Sequence, residues 1–334
     1  MKAIALEARS RALAVLLFKY LSCASASRVL ALDNEVSLRF ALPSEYNDPY
    51  ELFLQPDRPL ESDEERAFVQ FFLGDLTHFP IACFSRRPES VVMWAHYCQE
   101  GTGIVLAFDE DALANRFPIL YAKDVEYSDE PALLSSDNVK WATTTWKRRH
   151  ALWLINEAYG TAYFTKRADW AYEHERRLVV DADQLDRLHE RDFLGRFPPN
   201  VLRYIIVGPK SPDDLVALCQ TRANSFSVPL LRFSIGRRSY DPYFVARDGA
   251  PLVWHDGSFV EAENVCSECG EPAVLNDGEA CGWCDITDAH AADVASHSLL
   301  TATIGMGLER LEVNFNGAEV KGYRIKGKRA KRST

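Results

Sequence analysis

The sequence predicts an α+β fold: a mixed β-sheet core with peripheral helices, followed by a small cysteine-bearing module. Three observations predict it. Short β-favouring apolar runs bounded by Gly, Asp or Pro recur through the first 245 residues. Helix-compatible stretches, two with acidic starts, fall between those runs. Two Cys-x-x-Cys pairs follow near residues 266–284. The length of 334 residues suits about two domains at roughly 150 residues each. The 47% hydrophobic and 26% charged content excludes global disorder.

At the N-terminus, Arg9 and Arg11 precede an apolar run over residues 12–18, and Ala24, Ser25 and Ala26 imitate a small-residue cleavage site. Lys19 interrupts that pattern, and Leu6, Leu13, Leu16 and Leu17 recur at roughly helical spacing. The segment therefore reads as a helix of a cytoplasmic protein. The apolar run is far short of the roughly 20 residues that cross a bilayer, so no membrane partner is expected. Residues 17–20 and 36–40 read as strands with a helix over 25–32 between them. Residues 103–108, 178–180 and 204–207 are further strand runs, and helices are expected over 63–73, 145–158 and 212–223.

Residues 253–260 read as a hairpin about Asp256 and Gly257 that opens the second module. Pro242 and the polar stretch 247–251 set a boundary near 245. The expected organisation is a main domain over 1–245, a ribbon over 246–290 and an extension over 291–334. From the end of the ribbon into the extension, residues 289–298 suit a helix, and 311–315 suit a strand.

The net charge of -10 is uneven. Lys321, Arg324, Lys326, Lys328, Arg329, Lys331 and Arg332 crowd the tail without an acid, leaving -17 on residues 1–320. Long-range attraction of nucleic acid to the body is thereby disfavoured, whereas the tail could grip phosphates in a salt-dependent manner. A solvated terminus explains the tail equally well.

The cysteines form two populations. Cys23, Cys83, Cys98 and Cys219 are scattered and read as small apolar core residues. Cys266 and Cys269, then Cys281 and Cys284, are pairs separated by eleven residues. Each pair turns two thiolates toward one point, and four thiolates at about 2.3 Å complete a closed tetrahedral Zn²⁺ site. Gly270 and Gly282 suit the tight turns. Because a closed site keeps no position for water or substrate, the metal is expected to be structural. A disulfide-linked extracellular module or a redox dithiol is the rival reading.

Several motifs carry a resemblance. Tyr46-Asn47-Asp48-Pro49-Tyr50-Glu51, Cys83-Phe84-Ser85, Met93-Trp94-Ala95-His96-Tyr97 and residues 103–108 come first. Val125-Glu126-Tyr127, Lys166, residues 170–177 and Ile205-Ile206-Val207-Gly208 follow in order. Together, over roughly residues 15–240, they resemble the bacterial domain-of-unknown-function family 2971, whose name supplies no activity. Leu21 stands where that family often has Arg, and Gly101 where it often has His.

A second resemblance supplies chemistry. The order strand, helix, strand, then a late Glu-rich strand and an Ile-rich strand, is similar to the split-sheet core of ADP-ribosyltransferases. It implies a glutamate that contacts the nicotinamide ribose of NAD and supports an oxocarbenium-like transition state. Glu175 is the first candidate for that catalytic role and Glu173 the second. Lys19, Tyr20, Asn47, Asp48, His96, Tyr97 and Arg177 are the corresponding candidates for holding NAD. If residues 173–177 are extended, Glu173, Glu175 and Arg177 alternate onto one face. If they are helical, Glu173 and Arg177 form an i,i+4 pair worth only about 0.2–0.5 kcal/mol. The following Leu178-Val179-Val180 favours the strand. Asn47-Asp48-Pro49 makes a rigid turn whatever its function, and because the resemblance places cofactor-contacting residues after the second strand, Asn47, Asp48 or Glu51 could instead line the site. Trp94, His96 and Tyr97 offer stacking and a titratable ring, or simply a hydrogen-bonded core. No Walker motif, nucleophile elbow or HExxH is present, and Gly101-Thr102-Gly103 is too short for a phosphate loop.

Two functions from different classes follow. The first is an NAD-using ADP-ribosyltransferase-like enzyme, a toxin or antiphage effector whose ribbon and tail recognise a macromolecular target. The second is a non-catalytic module in which the main domain binds a protein and the zinc ribbon binds nucleic acid.

Overall fold

The computed structural model describes residues 15–116, 118–145, 147–237, 239–275 and 279–290, with the backbone of 308–315 and 318–325. Leu6 and Leu13 of the expected N-terminal helix, residues 291–298 of the later one and the tail from Lys326 onward lie outside the described residues. The chain divides into two compact units, residues 1–236 with 240–261, and residues 237–239 with 262–334. Among the described residues no helix is long and apolar enough to cross a membrane.

The first unit opens with β1 (Leu16–Leu21), α1 (Cys23–Val29) and β2 (Val36–Ala41). Next come β3 (Leu54–Pro56), α2 (Asp63–Asp75), β4 (Ile81–Ser85), α3 (Val91–Tyr97), β5 (Ile104–Asp109) and α4 (Glu110–Ala114). Strands β6 (Ile119–Asp124), β7 (Glu126–Ser128) and β8 (Ala132–Leu134) lead to helices α5 (Ser136–Thr144) and α6 (Arg148–Ala162). Strands β9 (Thr165–Arg167) and β10 (Glu175–Val180) flank a 3₁₀ turn, Ala168–Glu173. Then follow β11 (Asp186–Arg187), β12 (Asp192–Phe197), β13 (Leu202–Val207), α7 (Asp213–Phe226) and β14 (Leu230–Ser234). The unit ends with β15 (Tyr243–Ala246), β16 (Pro251–His255) and β17 (Ser258–Glu261).

These strands build one mixed sheet in the order β11-β12-β2-β4-β1-β5-β13-β14-β15-β16-β17, with β10 lying between β4 and β6. Strand β5 is buried at every position and is apolar without alternation from Ile104 to Phe108, and its last residue, the buried Asp109, is paired with Arg203. Leu215, Cys219 and Ala223 of α7 share one core cluster with Leu106 and Ile205. Met93 and Trp94 of α3 share another with Val105 and Ala107. The α+β class with peripheral helices is therefore as expected.

The sheet parts along one edge of β4. Strand β1 pairs with β5 at six positions but meets β4 only at Phe18↔Ser85. Strand β2 meets the same edge only at Ala41↔Ile81. Backbone carbonyls of β4 are thereby deprived of strand partners, and buried carbonyls need donors. Side chains supply them: Lys19 Nζ donates to the Cys83 carbonyl at 2.7 Å and Tyr46 Oη to that of Ile81 at 2.7 Å. The opposite edge of β4 is fully paired, from Glu175↔Ser85 to Val179↔Ile81.

Three expectations need correction. The boundary near 245 is displaced, because β15, β16 and β17 extend the main sheet and the second unit resumes at Ala262. The hairpin itself forms as expected, with Asp256 and Gly257 at φ 46° and 80°, but it closes the first unit rather than opening the ribbon. The helix expected over 145–158 is α6, which starts later, at Arg148, and runs on to Ala162; Thr145 is the C-cap of α5. Leu16 and Leu17, read as part of a leading helix, lie in β1.

The second unit carries the cysteine pairs and a backbone hairpin of β18 (Leu308–Phe315) with β19 (Ala318–Ile325), in register from Leu308↔Ile325 to Phe315↔Ala318. It contains the strand expected over 311–315.

Candidate functional site

Where β1 and β2 diverge from β4, the gap is a cavity of about 410 Å³. Phe18, Tyr20, Phe84 and Met93 supply apolar wall, and Lys19, Asn47, Tyr97, Lys166, Glu173 and Glu175 supply polar wall. The residues come from segments far apart in the chain, so the site depends on the fold.

Glu173 and Glu175 converge by a route the alternation argument did not anticipate. Glu173 ends the 3₁₀ turn, His174 sits in the left-handed region at φ 44°, and Glu175 starts β10. The turn brings both carboxylates to Lys166 on β9, whose Nζ lies 2.7 Å from Glu173 Oε2 and 3.4 Å from Glu175 Oε2. Glu175 and Arg177 share a face of β10 as the strand reading required. Arg177 Nε donates to Glu175 Oε1 at 2.8 Å and Nη2 to Oε2 at 3.1 Å. The helical alternative for residues 173–177 does not occur. Tyr97 donates to Glu173, and Asn47 Nδ2 donates to Tyr97 Oη at 3.1 Å.

Environment separates the two carboxyls. Burial pushes Glu175 upward, but the charges of Arg177 and Lys166 outweigh it and hold the group down at about 2. Burial also raises Glu173, and there the Lys166 charge does not offset it. Lys166 loses by burial and gains more from Glu175 and Glu173, which keep its ammonium above the ordinary value. Lys19 is lowered, chiefly by burial. At neutral pH the site thus holds a firmly ionised Glu175 beside a Glu173 that takes up a proton more readily.

The remaining candidates divide. Lys19, Tyr20, Asn47 and Tyr97 line the cavity with both glutamates. Arg177 does not: it lies behind Glu175, 1% exposed, where it also meets Glu51 and the Tyr163 carbonyl. Asp48 is buried in its turn, its Oδ1 accepting from the Tyr50 N–H at 2.9 Å, and it is not in the lining. His96 is also outside the lining, exposed and 3.2 Å from Tyr172 Oη. Trp94 is core, stacked on Phe233 at 4.6 Å. Leu21 joins the apolar lining, whereas Gly101 is away from it at φ 85°, with the Pro209 ring 3.2 Å from where a Cβ would stand. Lys166 stands among the motif residues with no role assigned by the sequence, and Glu51, expected with Asn47 and Asp48 as a residue that could line the site, lies outside the lining. The available signal for Lys166 was a lysine seven residues before an acid pair, which acquires meaning only once the intervening turn is known.

In the second unit, ligand atoms of Cys266, Cys269, Cys281 and Cys284 lie within 4.8 Å of one another and could hold a metal ion. The two knuckles close alike. The Gly270 N–H donates to the Cys266 carbonyl at 2.9 Å and the Asp285 N–H to that of Cys281 at 3.0 Å. Backbone N–H groups of Cys269 and Cys281 point at the Cys266 sulfur and lower that thiol to about 6. These features fit a thiolate-ligated cation. All four cysteines are free of disulfides.

Residues 93–178 match the sequence family described as Protein of unknown function (DUF2971). That stretch contains the Trp94, Lys166 and Glu173–Arg177 motifs but not the segments around Asn47, Cys83 or Ile205. No curated protein and no solved structure matches the chain.

Proposed function

We propose that the first unit is an ADP-ribosyltransferase-like enzyme that takes NAD and transfers its ADP-ribosyl group to a macromolecular target. The observation that carries this reading is Glu175, an ionised carboxylate fixed by a buried guanidinium in the wall of a 410 Å³ cavity. The volume falls within the roughly 300–1,000 Å³ of small-molecule sites. Aromatic rings of Tyr20, Phe84 and Tyr97 offer surfaces for planar groups, and Lys19 and Arg39 are cations of the lining suited to a diphosphate.

Cleavage of the nicotinamide–ribose bond leaves the electron pair on the nicotinamide nitrogen and positive charge on the ribose. A fixed anion beside that charge in a shielded site lowers the barrier more than it would in water. Glu175 supplies the anion already oriented. The acceptor's nucleophile then bonds to the ribose carbon and must lose a proton. Glu173, with its raised affinity for protons, is matched to receive it.

Nicotinamide release from NAD by the purified chain tests the proposal. Wild-type protein is expected to release it, and Glu175→Gln, with unchanged circular dichroism, to lose about 10²- to 10³-fold in rate. No release by the wild type favours the non-catalytic reading instead, and undiminished release by the variant removes Glu175 from the chemistry.

For the cysteine cluster we propose zinc, because four soft thiolates in two turns suit tetrahedral Zn²⁺. Cys266, Cys269, Cys281 and Cys284 would hold it, and it would supply cross-linking rather than catalysis, since four protein ligands leave no open position.

A further inference from the structure

We infer that Glu51 is a positioning residue for Glu175, acting through Arg177 from outside the cavity. The inference rests on the proposed role of Glu175 and adds the device that holds it in place. Glu51 lies in the segment that follows Asn47-Asp48-Pro49. Its side chain is 5% exposed, and it is not part of the cavity lining.

A carboxylate so buried needs a partner, and both of its oxygens engage the Arg177 guanidinium, Oε2 at 3.0 Å from Nη2. Arg177 Nη1 also donates to the Tyr163 carbonyl at 2.9 Å. The guanidinium is thus gripped on the side away from the cavity by Glu51 and Tyr163, and on the other side it presents Nε and Nη2 to Glu175. Its planar fork has one orientation that satisfies all three partners. Glu51 therefore fixes the plane from which Glu175 is held. It also shares the guanidinium's charge, which would otherwise fall wholly on Glu175 and weaken that group's pull on a nearby cation.

The backbone of this segment is suited to the task. Pro49 restricts Asp48, whose carboxylate caps the Tyr50 N–H, and the Glu51 N–H donates to the Asp48 carbonyl at 3.2 Å. The same short stretch reaches the other carboxylate, through Asn47, Tyr97 and Glu173 in turn. One rigid turn thereby references both acids of the cavity to a single piece of backbone.

The test compares wild type with Glu51→Gln by two readouts. The first is steady-state nicotinamide release. With Glu51 outside the cavity, KM for NAD is expected to stay within about twofold while kcat falls about 100-fold, the scale of a misplaced catalytic group. The second needs no turnover: the side-chain ¹⁵N–¹H signals of Arg177, assigned with Arg177→Lys. Hindered rotation should keep the Nη signals distinct in the wild type and be lost in Glu51→Gln. Unchanged Arg177 signals, or an unchanged kcat in an active enzyme, would overturn the proposal. If the wild type releases no nicotinamide, the reading of the cavity fails, and the Arg177 signals still decide whether Glu51 fixes Glu175. Should Glu51→Gln not fold, Glu51→Leu with Arg177→Met removes both buried charges together. That pair must lose the same turnover, and retained turnover overturns the inference.

Discussion

The four thiols of the second unit and the two carboxylates of the first are both clusters of like charge, and they are stabilised in opposite ways. The thiols lie between Cys266 and Cys284, a span short enough for two local turns to aim them at one point. With zinc bound as proposed, their neutralising cation would be an ion from outside the chain. The carboxylates are brought together by β10, β9 and the turn between them, and the chain supplies its own cations, Lys166 and Arg177. A locally built site of this kind would be conditional on its metal. A site with built-in counter-charges is present whenever the fold is, and removing one of those charges harms the fold itself.

The largest effect should come from taking away the external cation. Structural zinc contributes on the order of 10–16 kcal/mol to small zinc modules at neutral pH. The purified chain is expected to carry one zinc by elemental analysis. Chelation or Cys281→Ser should abolish the dispersed amide signals of residues 262–290. Retention of those signals in metal-free protein would show that the knuckles hold themselves, and the contrast would collapse.

Next comes removal of an internal cation. Arg177→Met leaves Glu51 and Glu175 buried without their shared partner, and breaking a buried pair from one side costs about 3–5 kcal/mol. Urea denaturation should show a loss of that size. A loss below about 1 kcal/mol would mean that water reaches the pair and that the cluster is not sealed.

The same difference in range explains what could be read in the sequence. The cysteine site was legible because spacing alone encodes it. So were β1, α1 and β2, and the Asp256-Gly257 hairpin, whose turn chemistry is local. Strand β12 was not: Gly195 sits in its middle and reads as a breaker. The rings of Phe40 and Phe197 lie about where a Cβ would be, at 2.9 Å, so glycine is required by a neighbour 155 positions earlier. The boundary was misplaced because β15 has only four residues between two polar, proline-bearing stretches. Glu175 and Arg177 were legible from strand alternation, but the place of Lys166 between the two acids was not, nor was the pairing of Glu51 with Arg177 rather than with the cavity. Their partners are set by the left-handed His174 and by pairing between distant strands. Asp48 and His96 read as candidate ligands in the sequence and lie outside the lining, because one is held in its own turn and the other is exposed.

Acid separates the two kinds of carboxyl within the first unit. Glu175 is held at about 2, below the roughly 4.3 of an unfolded glutamate. Its contribution is therefore fully present above pH 4.3 and disappears as pH falls through about 2, a total on the order of 3 kcal/mol. Glu173, raised by burial, works in the other direction and destabilises the fold as it ionises. The stability difference between wild type and Glu175→Gln, followed by urea melts from pH 6 downward, should shrink on acidification. A difference that grows instead would mean that Glu175, not Glu173, is the proton-holding member of the pair.

The smallest effect should come from the rim. Asn47→Ala removes one hydrogen bond to Tyr97 in a partly exposed setting, worth about 1 kcal/mol at most. Tyr97 keeps its bond to Glu173, and Glu173 keeps Lys166, so neither buried charge loses its counter-charge. The variant should therefore melt within a few degrees of wild type, roughly 2–4 °C for a domain of this size. A loss as large as that of Arg177→Met would place Asn47 among the groups that neutralise the cluster. The division between charges that sustain the fold and contacts that merely orient the site would then have to be redrawn around Tyr97.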